Sequence, residues 1–227
     1  MSLTFLGNTI KLVILDLDGT LIASTSLWDE VDKVFFARHG KPLPPHYGKE
    51  VAAMGLAKGA TYTKETFFPF LNEEKILQEW NELAKEEYEG KIPLKEGGLE
   101  LLNYLSSRGI QMAVATTNSP ELYRPCLKRL GIDKFFSKIV DTKDVPSGKT
   151  TSKMYDLLLE HYALSPSETL VIEDSFTPLS IAHEAGYHTI GVYDPHTTKD
   201  IASHKEKADR FAMSLKEVLL FLEEENQ

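Results

Sequence analysis

Cysteine is almost absent from this chain: Cys126 stands alone among 227 residues. One cysteine excludes an internal disulfide and suits a reducing compartment, and a single thiol in an apolar helix pattern reads as packing rather than as a nucleophile. Positive charge is also in short supply. Lys and Arg number 25 against 34 Asp and Glu, for a formal net charge of -9. A general nucleic-acid surface or an anionic-membrane surface needs clustered Lys and Arg, so neither partner is expected. An anionic substrate would have to be captured by a few local cations. No stretch approaches the roughly 18 to 20 apolar residues of a membrane span, and no basic segment with a long apolar run opens the chain. The expectation is a cytoplasmic protein, monomeric or a weak homodimer. Repeats and low-complexity tracts are missing, and the histidines do not recur at metal-ligand spacings. What remains is ordinary globular usage, 42% hydrophobic and 26% charged, in a chain long enough for one large domain or a domain with a modest insert. Met1-Ser2-Leu3 is set aside as a terminal remnant.

The organising stretch is Lys11-Leu12-Val13-Ile14-Leu15-Asp16-Leu17-Asp18-Gly19-Thr20-Leu21. Its apolar run without a polar break predicts a strand covered on both faces, as in a parallel sheet. Gly19 lets the chain turn. Asp16 and Asp18 fall where the strand stops, the place where open α/β sheets bind ligands.

Beyond Ser26, which can cap a helix, Leu27, Val31, Val34 and Phe35 repeat at helical spacing until Gly40 and Pro42. Short helices are expected around residues 47–54 and 61–70, separated by the loop Gly55-Leu56-Ala57-Lys58-Gly59. Ile76, Leu77, Trp80, Leu83, Ala84 and Tyr88 make a further apolar stripe. No strand is expected between residues 26 and 90, so residues 23–92 read as an inserted helical domain, and residues 1–22 with 93–227 as an α/β domain. From Gly97 helices and strands alternate. Strands are expected at residues 110–115, 136–140, 169–172, 188–192 and 209–213, with helices between them and a last helix at 214–224. Pro125 predicts a kink or restart in the helix that begins at Pro120. Alternation of this kind means a doubly wound parallel sheet.

Four sets of polar groups then fall at the carboxyl ends of strands or just beyond them. They are Asp16 with Asp18, Thr116 with Asn118, Lys149, and Glu173 with Asp174. Asp16-Leu17-Asp18-Gly19-Thr20-Leu21 and the order of the later motifs resemble the haloacid dehalogenase-like superfamily of phosphohydrolases. Val171-Ile172-Glu173-Asp174-Ser175 looks like the acidic motif of the helical-cap subfamily, which includes β-phosphoglucomutase-like and phosphoglycolate phosphatase-like proteins. The resemblance runs from about Lys11 to Glu224 and implies a Rossmann-like core domain with a helical cap. It departs from the family pattern at Thr150, where proline is usual, at Pro178, where glycine is frequent, and at Ala23, where an acid is common.

That resemblance implies a Mg²⁺-dependent phosphatase acting on a small phosphorylated metabolite through an aspartyl-phosphate. Asp16 would be the nucleophile, and Asp18 the acid and then the base. Asp16, Asp18, Glu173 and Asp174 would hold the metal through hard oxygen donors. Lys149 would pair with Asp16 and a phosphate oxygen. Thr116, the backbone N–H groups of Leu17 and Asp18, and Asn118 would cradle the phosphoryl group, with Thr117 as the alternative to Thr116. Apart from the resemblance, Lys58 in the loop 55–59 is a candidate contact for a second anionic group, with a solvated surface lysine as the alternative reading. Trp28 stands where the hexose-phosphate mutase branch carries histidine, and the loop has no arginine. Both absences, with Ala23 in place of the common acidic residue, favour a phosphatase over a sugar phosphomutase. A binding protein with a silent site is the third alternative.

Overall fold

The computed structural model describes residues 3–54 and 56–227. The chain divides into two compact units, one formed by residues up to Thr25 with Ile92–Gln227, the other by Ser26–Lys91. Among the described residues no helix is long and apolar enough to cross a membrane.

The larger unit opens with an antiparallel hairpin, β1 (Leu3–Phe5) and β2 (Asn8–Ile10). Leu3 is fully buried at its start, so the residue set aside as a remnant belongs to the fold. A six-stranded parallel sheet follows. Its strands are β3 (Leu12–Leu15), β4 (Gln111–Ala115), β5 (Lys138–Val140), β6 (Thr169–Glu173), β7 (His188–Val192) and β8 (Arg210–Ala212), in the order β5-β4-β3-β6-β7-β8. β3 is central because Leu12 to Leu15 carry apolar side chains on both faces, and all four are fully buried. β4 and β5 are laid down on one side of β3, and β6, β7 and β8 on the other. The winding direction therefore reverses at β3, which makes a crevice at the carboxyl ends of β3, β4 and β6.

The helices of this unit are α5 (Gly98–Ser107), α6 (Pro120–Arg129), α7 (Lys153–Tyr162), α8 (Phe176–Glu184), α9 (Ile201–Lys207) and α10 (Leu215–Glu224). Leu12 and Ile14 share one core layer with Ala113, Val171, Met154, Leu158 and Ala182, as the alternation of a pleated strand requires. Pro125 lies inside α6, which runs through it without a restart. The N–H that would have reached the carbonyl of Glu121 is lost inside the helix. Cys126 is fully buried on the same helix, in keeping with a packing role. Neither α9 nor the hairpin was anticipated.

The smaller unit holds α1 (Leu27–Arg38), α2 (Tyr47–Met54), α3 (Leu56–Thr66) and α4 (Glu73–Gly90). Its centre is aromatic. Phe35 meets Phe68 edge-on at 5.3 Å and Trp80 at 5.9 Å, and Phe36 meets Tyr47 at 4.7 Å. Ser26 does not cap α1 through its side chain. The loop expected at residues 55–59 is not seen as such. Leu56 to Gly59 form the first turn of α3, and Gly55 lies outside the described residues. Leu56, Ala57 and Lys58 are good helix formers. Gly59 serves close packing instead of flexibility, since a β-carbon there would sit 2.7 Å from a methyl of Val51. Asp32 is buried on α1, and burial together with the neighbouring Asp29 carboxylate pushes its pKa up to about 7. A carboxyl held above its unfolded value of 3.8 costs stability as pH rises from about 4 to about 7. The Asp32→Asn variant is therefore expected to be more stable than wild type at pH 8, by on the order of 2–4 kcal/mol, and equal to it at pH 3.5. Urea unfolding at the two pH values checks this.

Candidate active site

The end of β3 delivers Asp16, and its backbone N–H donates to the Ile172 carbonyl of β6 at 3.0 Å, continuing the ladder one residue past the strand. The chain then folds on itself, with the N–H groups of Thr20, Leu21 and Ile22 all donating to the Leu17 carbonyl. This tight turn needs Gly19, which stands at φ +89°. A β-carbon at Gly19 would lie 2.8 Å from both Asp174 Cγ and Thr25 Cγ2. Gly19→Ala is accordingly expected to cost about 2–4 kcal/mol, from the positive φ and the displaced Asp174 carboxylate together. Denaturant unfolding against wild type measures it.

Lys149 follows the loop after β5 and reaches into the end of the sheet. Its ammonium pairs with Asp16 Oδ1 and, at 2.6 Å, with Glu173 Oε2. Lys149, Asp16, Glu173 and Asp174 are each less than a tenth exposed. Glu173 Oε1 accepts from the Ser175 N–H at 3.1 Å. Asp174 takes its donors elsewhere, from Thr20 Oγ1 to Oδ1 at 2.8 Å and from Thr197 Oγ1 to Oδ2 at 2.5 Å. One carboxylate oxygen from each of Asp16, Glu173 and Asp174 lies within 4.8 Å of the others.

Burial dominates the electrostatics. Desolvation raises the Asp16 carboxyl to about 6 despite the opposing pull of Lys149, and the Asp174 charge adds to the rise. Glu173 is held well above the usual carboxylate range, by burial and then by Asp16. Burial works against the charge of Lys149, yet the Asp16 and Glu173 carboxylates outweigh it and keep the ammonium well above its ordinary value. Each of these groups therefore depends on the others for its charge.

Asp18 is only half-buried. Ser24 Oγ donates to its Oδ1 at 2.6 Å and Asn118 Nδ2 to its Oδ2 at 3.0 Å. Asn118 in turn donates its backbone N–H to Thr116 Oγ1 at 3.1 Å. Thr116 is buried at the end of β4 and is thus tied to Asp18 through Asn118. Thr117 is exposed, with its methyl beside Gly148 in the loop that carries Lys149. The Leu17 N–H donates to the Asp16 carboxylate and opposes its rise. The larger unit thus assembles Asp16, Leu17, Asp18, Thr116, Thr117, Asn118, Lys149, Glu173 and Asp174 on its own. Lys58 lies exposed on α3 of the other unit.

Thr20, Ser24 and Thr197 escaped the reading of the sequence. Thr20 belongs to the Asp-x-Asp-Gly-Thr stretch and was there to be read. Ser24 lies in the polar stretch between the Asp-x-Asp turn and α1, and Thr197 in a connector, neither with a motif of its own.

Clustered acids and one lysine at the reversal point of a parallel sheet define an α/β protein with a centre suited to binding an oxyanion and a cation. The sequence profile of the haloacid dehalogenase-like hydrolases matches residues 13–192, and the chain belongs to that family. Among its relatives is a phosphorylated carbohydrates phosphatase of Thermotoga maritima, 26% identical over 78% of this chain and 82% of the relative. The hexitol phosphatase A of Escherichia coli is 31% identical, over 81% of this chain and 83% of its own. A crystal structure of a Thermotoga maritima protein provisionally named β-phosphoglucomutase superposes with a TM-score of 0.86 at 25% identity, covering 95% of this chain and 99% of that one.

Proposed function

We propose that this chain is a Mg²⁺-dependent phosphatase of a small phosphorylated metabolite that carries the phosphoryl group on Asp16 between two half-reactions. The charge count carries the reading. Asp16, Glu173 and Asp174 are three buried carboxylates answered by one buried ammonium, Lys149. Two negative charges left over in a desolvated site are costly, and a divalent cation is the natural complement. The donors are all oxygen, which suits Mg²⁺ and not a soft metal. Asp16, Glu173 and Asp174 would hold it, with the Asp18 carbonyl. When bound, the ion would neutralise charge on the transferring phosphoryl group and on Asp16.

The chain's own residues supply the rest. An Asp16 oxygen attacks phosphorus as the ester P–O bond breaks, and the departing alkoxide takes a proton from Asp18. Water then attacks the aspartyl-phosphate, gives its proton back to Asp18, and the bond to Asp16 breaks to release phosphate. Asp18 suits proton traffic because it reaches solvent while Ser24 and Asn118 fix its orientation. Lys149 holds the attacking carboxylate in place, and Thr116 is assigned to a phosphate oxygen in preference to the exposed Thr117.

The phosphatase relatives named for carbohydrates and a hexitol favour a phosphorylated sugar or sugar alcohol as substrate. In this proposal the helical unit serves as a cap that selects the leaving group, with Lys58 as a contact for a second anionic group. The test is phosphate release from a panel of sugar phosphates, polyol phosphates, nucleotides and phosphorylated acids, with Mg²⁺ and with EDTA. Metal-dependent release from some members and none from others is the expected result. A second reading, a sugar phosphomutase, draws on the likeness to the provisionally named β-phosphoglucomutase. It requires isomerisation of a sugar phosphate without net phosphate release, which the same panel resolves. No Mg²⁺-dependent turnover of any member would leave a binding protein as the better account.

A further inference from the structure

We infer that Thr197 is a positioning residue for Asp174, and that Lys95 and Asp194 lock the loop that delivers it, so that this loop sets the affinity of the site for its divalent cation. The inference rests on the proposed metal site and deepens it.

Asp174 differs from the other two acids. Lys149 pairs with Asp16 and Glu173, whereas the hydrogen bonds to the Asp174 carboxylate come from two neutral hydroxyls, Thr20 on Oδ1 and Thr197 on Oδ2. With a donor on each oxygen, the rotation of the carboxylate is fixed and a lone pair on either oxygen remains for a metal. Thr20 belongs to the turn after β3. Thr197 comes from the far side, in the segment between β7 and α9 that has no catalytic motif.

That segment is built to hold one shape. Asp194 Oδ1 accepts the His196 N–H at 2.9 Å. The Asp194 N–H donates to Thr198 Oγ1 at 3.0 Å, and its carbonyl accepts the Thr198 N–H at 2.9 Å. Lys95 then ties the loop to the turn after β3. Its ammonium donates to the Gly19 carbonyl, to the Tyr193 carbonyl at 2.9 Å and to Asp194 Oδ2 at 3.2 Å. The side chains of Lys95 and Asp194 are 16% and 4% exposed, so the pair is shielded from screening. One ammonium therefore couples the two segments whose threonines grip Asp174. The Asp174 carbonyl faces Nε2 of the buried His204 at 3.2 Å, from α9, so the backbone of this ligand is held from the same side.

Mg²⁺ is titrated calorimetrically into wild type, Thr197→Val, Thr197→Ser and Lys95→Met, with urea unfolding in EDTA to verify that each variant is folded. Thr197→Val keeps the shape and removes the donor, and its dissociation constant should rise about tenfold, within the range for lost outer-shell partners. Thr197→Ser should return to near the wild-type value. Where substrate turnover is followed, the Mg²⁺ concentration for half-maximal rate should rise while the rate at saturating Mg²⁺ changes little, a split that simple destabilisation does not produce. Lys95→Met should weaken binding too, and in the Thr197→Val background it should weaken it by clearly less than in wild type, because only the Thr20 side of the grip is then left for Lys95 to support. Folded Thr197→Val binding Mg²⁺ within twofold of wild type overturns the inference and leaves the metal site standing. Fully additive losses from Lys95→Met and Thr197→Val overturn the route through the loop. A wild-type protein that binds no divalent cation overturns the metal reading and this inference with it.

Discussion

Asp16→Asn is expected to release phosphate at less than about one ten-thousandth of the wild-type rate while remaining folded, a loss in the range seen when a nucleophile is removed. The amide is nearly the same size as the carboxylate, so the packing around residue 16 survives, but its oxygen is a poor nucleophile and forms no stable bond to phosphorus. Stability should not fall with activity. Burial raises the Asp16 carboxyl to about 6 from 3.8, so the charged form is disfavoured in the folded chain. In the absence of metal that penalty is absent below about pH 4, grows through about pH 6 and persists above it. The neutral amide escapes it, at the expense of one ion pair with Lys149. Phosphate assays at saturating Mg²⁺ test the first claim. Acid quench of wild type with substrate, followed by mass spectrometry, should find one phosphoryl group on a peptide containing Asp16. Substantial turnover by a verified Asp16→Asn preparation would remove Asp16 from the nucleophile's role.

What was legible in the sequence follows the distance over which each feature is encoded. The run Leu12 to Leu15 fixes a doubly buried strand by itself, and Asp16, Asp18 and Gly19 sit in its immediate wake, so the turn and its two acids could be read within a dozen residues. Thr116, Lys149 and Glu173 were accessible because each follows an apolar strand or its connecting loop, and parallel strands bring their ends to one edge. Leu56 to Gly59 were misread because the two glycines of residues 55–59 suggested a flexible loop, whereas Gly59 is helical and lies against Val51. Pro125, the sixth of the ten residues of α6, costs one backbone hydrogen bond without ending the helix, so a restart does not follow from it. The support of Asp174 by Thr197 was out of reach, since its partners lie 23 residues apart and nothing local marks Thr197 as anything but a loop threonine. The Asp200 carboxylate caps α9 by accepting from the Ala202 and Ser203 N–H groups, and an aspartate there is the local mark of that helix's start.

Lys149→Met tests the charge count from the opposite side. With the ammonium gone, Asp16, Glu173 and Asp174 remain buried with no cationic side chain on Asp16 or Glu173, and removing one partner of a buried ion pair costs about 3–5 kcal/mol. Two responses are open to the protein, protonation or capture of a cation. Burial already raises Asp16 and Glu173, and loss of the Lys149 pull raises both further. Carboxyls held above their unfolded values lose stability as pH rises, so the variant should lie nearest to wild type near pH 4 and fall furthest behind it near pH 8 in EDTA. Mg²⁺ should then raise the melting temperature of the variant by more than it raises that of wild type, because the ion meets one more uncompensated negative charge and stabilises only the folded state. Turnover should stay low even in the rescued protein, by about 10²- to 10³-fold, since Lys149 no longer orients the attacking carboxylate or faces the phosphoryl oxygens. Melting curves at pH 4, 6 and 8 with EDTA and with Mg²⁺ measure these effects together. A variant as stable as wild type at pH 8 in EDTA, with the same response to Mg²⁺, would mean that the buried acids are already neutral without Lys149. The case for a divalent cation built on their charge would then fail.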